Sequence, residues 1–100
     1  MAEKVEDLTV TYVEDGIETT KELDKVILSK GSWATLLFRY QDWDRAKNDY
    51  GPERFTIRRY QKRGGEYRQQ SKFNISSRAQ AQALVDALQR WLADEDKGKG

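Results

Sequence analysis

The pattern of apolar and polar residues predicts four β-strands and, at the N-terminus, a fifth. Residues Leu8–Val13 alternate and are rich in β-branched side chains, which is typical of a short strand, although the first 24 residues fit a loosely held arm equally well. Lys25–Lys30 is a short apolar run that ends at Gly31. Trp33–Trp43 alternates over a longer stretch, and the polar connection 44–52 ends in residues that favour turns.

The clearest element is a β-hairpin in which Arg54–Gln61 and Glu66–Ile75 flank a Gly-Gly pair. A two-residue turn would place Phe55 opposite Asn74 and mix core and surface residues on one face. A three-residue loop that includes Arg63 places Phe55 opposite Phe73 instead. We favour the three-residue loop, with the second glycine in the left-handed conformation.

This register assigns the two faces of the hairpin. One face is apolar and suited to burial, with Phe55, Ile57, Phe73 and Ile75. The other face is polar and basic, with Tyr60 directly opposite Arg68; its members are Thr56, Arg58, Tyr60, Arg68, Gln70 and Lys72.

A helix follows the hairpin. Ser76 and Ser77 are typical N-cap residues. Beyond them the apolar residues recur at helical spacing, at Leu84, Val85, Leu88, Trp91 and Leu92, which predicts a helix from about Arg78 to Ala93. The sequence therefore predicts an α+β domain, an antiparallel sheet of four to five strands with one C-terminal helix packed on one face. The predicted divisions are an acidic arm over 1–24, a β-β-β-β-α domain over 25–93 and a disordered tail over 94–100.

Composition narrows the function. The 100-residue chain contains no cysteine and no histidine, which excludes disulfides, thiolate or imidazole metal sites, and triads with a histidine base. No serine has a partner that could activate it as a nucleophile, so we expect no enzyme activity, no cofactor and no small-molecule substrate. No apolar run is long enough to span a membrane and no signal segment is present, so we expect a cytoplasmic protein without membrane contacts, associated with the nucleoid if bacterial.

The net charge of +1 conceals a strong partition along the chain. Residues 1–24 hold two lysines and eight carboxylates, whereas residues 25–72 hold twelve basic residues and five acidic ones. Basic residues interleaved with aromatic ones suit single-stranded nucleic acid, because cations neutralise phosphates and flat rings stack on unpaired bases. Both charged regions could equally be ordinary solvated surfaces. Under the binding interpretation the candidate contacts are Trp33, Trp43, Arg58, Tyr60, Lys62, Arg63, Arg68 and Lys72.

The order of these parts resembles the positive-cofactor-four family of transcriptional coactivators and its small bacterial relatives. The resemblance covers roughly residues 25–92 and rests on the motifs Gly31-Ser32-Trp33, Trp43, Phe55-Thr56-Ile57-Arg58-Arg59-Tyr60 and Phe73-Asn74-Ile75-Ser76. The connection 44–52 is long and acidic for that pattern, and Tyr60 stands where the family has Trp. The resemblance implies a homodimer whose curved sheets bind single-stranded DNA or RNA with little sequence preference, as an accessory factor in transcription or DNA maintenance. It also implies that the contacts include Trp33, Phe38, Trp43, Arg58 and Tyr60, with the basic residues Arg68 and Lys72.

Two other functions fit the same sequence. Residues 54–92 also resemble the three-stranded, one-helix domains at the front of phage integrases, which bind duplex DNA through the sheet, but that outline leaves 25–43 unexplained. A protein-interaction module is the other alternative, with the acidic arm or the helix face as the docking surface. A sheet covered by one helix also keeps an exposed edge or apolar patch, which favours a homodimer.

Overall fold

The structure, a computed structural model, describes residues 2–99, with side chains up to residue 94. It is an antiparallel six-stranded sheet followed by one helix, so the predicted α+β class is confirmed. The strands run in the order β1-β2-β3-β5-β6, and the short β4 pairs with β3. The elements are β1 Tyr12–Glu14, β2 Ile17–Ser29, β3 Trp33–Asp44, β4 Asp49–Tyr50, β5 Arg54–Arg63, β6 Glu66–Ile75 and α1 Arg78–Lys99, with a 3-10 turn at Val5–Asp7 before them.

One face of the sheet, here called the inner face, carries the core. Its central residues on β3 are Leu36 and Phe38, both fully buried. They alternate with residues of the opposite, outer face because successive side chains of a strand point to opposite sides. The N-terminal segment, residues 2–10, covers the inner face and completes the core cluster, which comprises Val5, Leu8, Val10, Ala34, Leu36, Phe38, Tyr40, Tyr60 and Tyr67.

The N-terminal 24 residues do not form a separate arm. Strand β2 begins at Ile17 and continues to Ser29, so it crosses the predicted boundary at residue 24. The turn at residues 14–16 joins β1 to β2, with Asp15 and Gly16 both at positive φ. The acidic N-terminal region is therefore part of the sheet and its core.

The hairpin register differs from the predicted one. Gly64 and Gly65 form a two-residue turn, and Arg63 pairs with Glu66. The φ angles of the two glycines, +58° and +83°, lie in the left-handed region, which glycine adopts without steric strain because it has no Cβ. A β-bulge at Gln70 then adds one residue to β6. The ladder consequently pairs Phe55 with Ile75 and Ile57 with Phe73, neither of the two registers considered from the sequence, although those four residues still share one face as predicted.

The helix begins at the predicted residue but differs in packing and length. Ser77 caps it by accepting a 3.0 Å hydrogen bond from the Gln80 backbone N–H. The predicted packing across one sheet face is not present within the chain, since the helix makes few contacts with β6 and its apolar stripe is exposed. The stripe consists of Leu84, Val85, Leu88, Trp91 and Leu92. The N-terminal segment instead covers the inner face, which the sequence prediction left open.

The predicted tail is helical up to Lys99, rather than disordered from residue 94, because no helix breaker follows Ala93 before Gly98. Gly100 lies outside the described residues. Over residues 2–99, no helix combines the length and apolarity that crossing a membrane requires.

Candidate nucleic-acid interface

The β5–β6 hairpin concentrates positive charge. Between Arg54 and Ile75 the chain has seven basic residues and one carboxylate, Glu66. Of the seven, Arg68 lies 4.0 Å from that carboxylate, and the other six form no ion pair within the part of the chain that has described side chains. Among the described side chains, the charges of these six cations are therefore not compensated by a carboxylate.

The hairpin divides its basic residues between the two faces. Residues opposite each other in an antiparallel ladder share a face. Arg58 pairs with Lys72, and Arg54 pairs with the inner-face residue Tyr40 of β3, so these three basic residues lie on the inner side. Arg59 and Arg68 lie on the outer side, because Arg68 pairs with Gln61 rather than with Tyr60.

Arg54, Arg58 and Lys72 are here called the inner row, and Arg58 lies at its centre. Its Nη1 donates a 3.0 Å hydrogen bond to Oε1 of Gln69. Its Nε is buried and has no hydrogen-bond partner within the described residues. A buried donor without a partner is costly, so this atom is available to a phosphate or base oxygen that reaches the inner face.

The pKa values of two tyrosines of the inner face are affected by burial and by this arginine. Burial raises the pKa of Tyr60 above its usual value, and the nearby Arg58 guanidinium opposes that rise. Burial also raises the pKa of Tyr40; Asp42 adds to the rise, and Arg54 and Arg58 oppose it. Both phenols therefore stay neutral at physiological pH.

Tyr60 and Phe38 are not accessible for stacking in this structure, contrary to their selection as contact residues. Tyr60 is 4% exposed and Phe38 is fully buried. Both belong to the core cluster that the N-terminal segment completes. The sequence assignment failed here because it expected the helix to cover the opposite, apolar face and leave this one open.

The tip of the hairpin is exposed. Lys62 pairs with Tyr67, and its Nζ lies 5.5 Å from the centroid of that ring. Arg63 donates a 3.0 Å hydrogen bond from Nε to Oε1 of Gln61. Lys62, Arg63 and the inner-face residue Lys72 are exposed, as a phosphate contact requires.

The two tryptophans among the predicted contacts are separated. Trp33 lies on the outer face with 40% of its surface exposed, and the guanidinium carbon of Arg59 is 4.5 Å from its ring centroid. Trp43 is half-buried at the far end of β3, where it packs edge-to-face against Tyr50 at 5.1 Å. The structure therefore does not bring the predicted residues into one site: Arg58 and Lys72 share the inner row, and Arg68, Trp33 and Trp43 lie elsewhere.

Sequence reasoning missed Arg54 as a member of the inner row. Its even spacing from Arg58 was the available signal, since residues four apart on a strand share a face. It also missed Lys25, whose Nζ donates a 2.7 Å hydrogen bond to the carbonyl of Leu8 in the N-terminal segment. No local pattern could reveal that contact, because it joins residues 17 positions apart.

Comparisons of the chain with family models, with curated proteins and with solved structures gave no match. Among the described residues there is also no group of three or more acidic side chains placed to hold a metal ion. The function of the chain is therefore inferred from the arrangement of its own residues.

Proposed function

We propose that this protein binds single-stranded nucleic acid with little sequence preference. The observation that carries the proposal is the basic hairpin, with seven cations against one carboxylate and six of those cations without an ion pair among the side chains described up to residue 94. Charge of this density on a sheet attracts phosphates, and each cation that neutralises a phosphate releases condensed counterions. The proposed role is binding without catalysis.

The inner row supplies the proposed phosphate track. Arg58 and Lys72 lie directly opposite each other on β5 and β6, and Arg54 and Lys62 lie on the same side of β5, four residues before and after Arg58. Neighbouring strands are about 4.8 Å apart, and residues four apart on one strand are separated by about 13 Å. The row is therefore long enough for its cations to contact more than one phosphate of a bound strand. Contacts to phosphates carry no sequence information, hence the low sequence preference.

Titration of a labelled single-stranded oligonucleotide at several salt concentrations tests this function. We expect a log–log slope of about −0.7 per phosphate contacted. Lys72→Ala should weaken binding and reduce that slope by about 0.7. The matched control is Lys47→Ala, which removes the same charge from the exposed turn between β3 and β4 and should change neither quantity.

Absence of binding at low salt, or equal behaviour of the Lys72 and Lys47 variants, would refute the proposal. Duplex and RNA oligonucleotides of matched length complete the series. Tighter binding to the duplex would instead favour the sheet-on-duplex alternative.

A protein-docking function is the second candidate, and the exposed apolar surface favours it. Val26 and Phe73 of the outer face are each more than half exposed, and so are Trp91 and Leu92 of the helix. Monomeric proteins rarely leave such area open to water. We propose that a second copy of the chain covers it, giving a homodimer in which nucleic-acid binding and apolar association use different faces.

A further inference from the structure

The N-terminal segment occupies the aromatic part of the inner face. Val5, Leu8 and Val10 are 6%, 4% and 6% exposed and share a core cluster with Tyr60 and Tyr67. The backbone N–H of Tyr67 donates a 2.9 Å hydrogen bond to the carbonyl of Ala2. The segment therefore covers the rings that would otherwise face solvent beside the basic inner row.

Basic side chains hold the segment in place. Lys25 Nζ donates hydrogen bonds to the backbone carbonyls of Glu6 and Leu8, and Lys30 Nζ lies 3.5 Å from a carboxylate oxygen of Glu6. Thr9 Oγ1 donates a 2.6 Å hydrogen bond to Glu22. Three of the first seven residues are acidic, so a negatively charged segment lies over a sheet that carries cations. A nucleic acid presents the same combination of anionic groups and flat or apolar surface.

The segment is also less firmly integrated than the strands. It contains one 3-10 turn, Val5–Asp7, and residues 8–10 belong to no regular element. Its attachment thus depends on three apolar side chains and a few polar contacts, while the sheet beneath has a continuous ladder. Regions of this kind open locally at lower free energy than the core strands do.

We propose that residues 2–10 are a displaceable cover that competes with nucleic acid for the inner face, an inference that rests on the proposed function. When the cover leaves, Tyr60 and Tyr67 become exposed beside Arg58, whose Nε has no hydrogen-bond partner among the described residues in the covered state. Bases then stack on the rings while phosphates meet the basic row. The apparent affinity equals the affinity of the open face multiplied by the fraction of molecules in which the face is open, so the stability of the cover limits the observed affinity.

The first test weakens the cover in the full chain. Leu8→Ala should raise the affinity for a single-stranded oligonucleotide about tenfold, equivalent to about 1.4 kcal/mol, because it populates the open state. Ile75→Ala is the matched control: Ile75 is 7% exposed and lies outside the core cluster beneath the segment. It should lower stability without raising affinity. Equal affinities of the Leu8→Ala and Ile75→Ala variants would refute the proposal that residues 2–10 are a displaceable cover.

The second test needs no substitution. Hydrogen exchange of the Tyr67 amide, which bonds to Ala2, is measured in the wild-type chain with and without saturating oligonucleotide. Loss of protection on binding supports displacement, whereas unchanged or increased protection overturns it. If the chain binds with the expected salt slope but the Tyr67 amide stays protected, the proposed function stands and the displaceable cover is refuted. A chain and variants that bind no oligonucleotide refute both.

Discussion

The Thr56 hydroxyl, fully buried on β5, donates a 2.7 Å hydrogen bond to Oδ1 of Asn74, its direct partner on β6. The same oxygen lies 3.3 Å from the carbonyl of Phe73. A threonine is otherwise out of place beside fully buried apolar residues such as Leu36 and Phe38. The hydrogen bond to Asn74 explains its position, since a buried polar group is stable when it has a hydrogen-bond partner.

Thr56→Val should therefore lower the free energy of unfolding by about 1 kcal/mol, the net value of a typical intramolecular hydrogen bond. Valine keeps the shape of the side chain, so the loss reports the hydroxyl. Urea denaturation measures it. Thr35→Val is the control, because Thr35 is half-buried on β3 and its hydroxyl forms no hydrogen bond among the described residues. Equal effects of the two substitutions would show that the Thr56 bond contributes nothing.

The buried tyrosines predict a loss of stability at alkaline pH. Burial raises the pKa of Tyr60 in the folded chain, while an unfolded tyrosine titrates near pH 10. The unfolded state thus releases its proton first as the pH rises. The stabilisation is complete below about pH 10 and is lost as the pH rises through the higher folded value.

Urea midpoints measured from pH 8 upward should fall above about pH 10, and Tyr60→Phe should make this fall shallower because phenylalanine cannot ionise. Tyr12→Phe is the matched control at a residue that is 59% exposed. The interpretation is wrong if the alkaline fall in the Tyr60 variant matches that of the wild type.

The helix stripe predicts the oligomeric state. If a second copy covers the stripe, Leu88→Glu should convert a homodimer into a monomer, because a carboxylate buried in an apolar interface is strongly unfavourable. Leu88 is 46% exposed in the single chain, so the substitution should change its stability little. Ala83→Glu adds the same charge to an exposed position on another side of the helix and should leave the dimer intact. Sedimentation velocity at micromolar concentration distinguishes these outcomes, and a monomeric wild type would contradict the proposed dimer.

The sequence predicted the features that neighbouring residues determine. The helix begins at Arg78 as expected because its cap, from Ser77 to Gln80, is local. The apolar face of Phe55, Ile57, Phe73 and Ile75 also formed, since strand alternation decides which residues share a face. These predictions needed no knowledge of distant contacts.

The N-terminal segment could not be predicted in this way. Val5, Leu8 and Val10 are separated by three and then two residues, which fits neither the helical nor the strand period. Their burial depends on Tyr60 and Tyr67, at least 50 residues away in the chain. The assignment of Tyr60 as an open contact failed for that reason. The hairpin register failed for another, because nothing in Gln69-Gln70 signals a bulge.

The bulge at Gln70 gives the hairpin an unusual tolerance to change in length. Deleting one residue from a strand ordinarily turns every later side chain to the opposite face. Here Tyr60 pairs with Gln69 and Arg59 pairs with Ser71, so the chain without Gln70 would keep each of these partners and both faces. The extra local twist that a bulge imparts is what such a deletion would remove. Shorter natural or engineered versions of β6 can therefore share this fold, with the angle between hairpin tip and base as the property that varies.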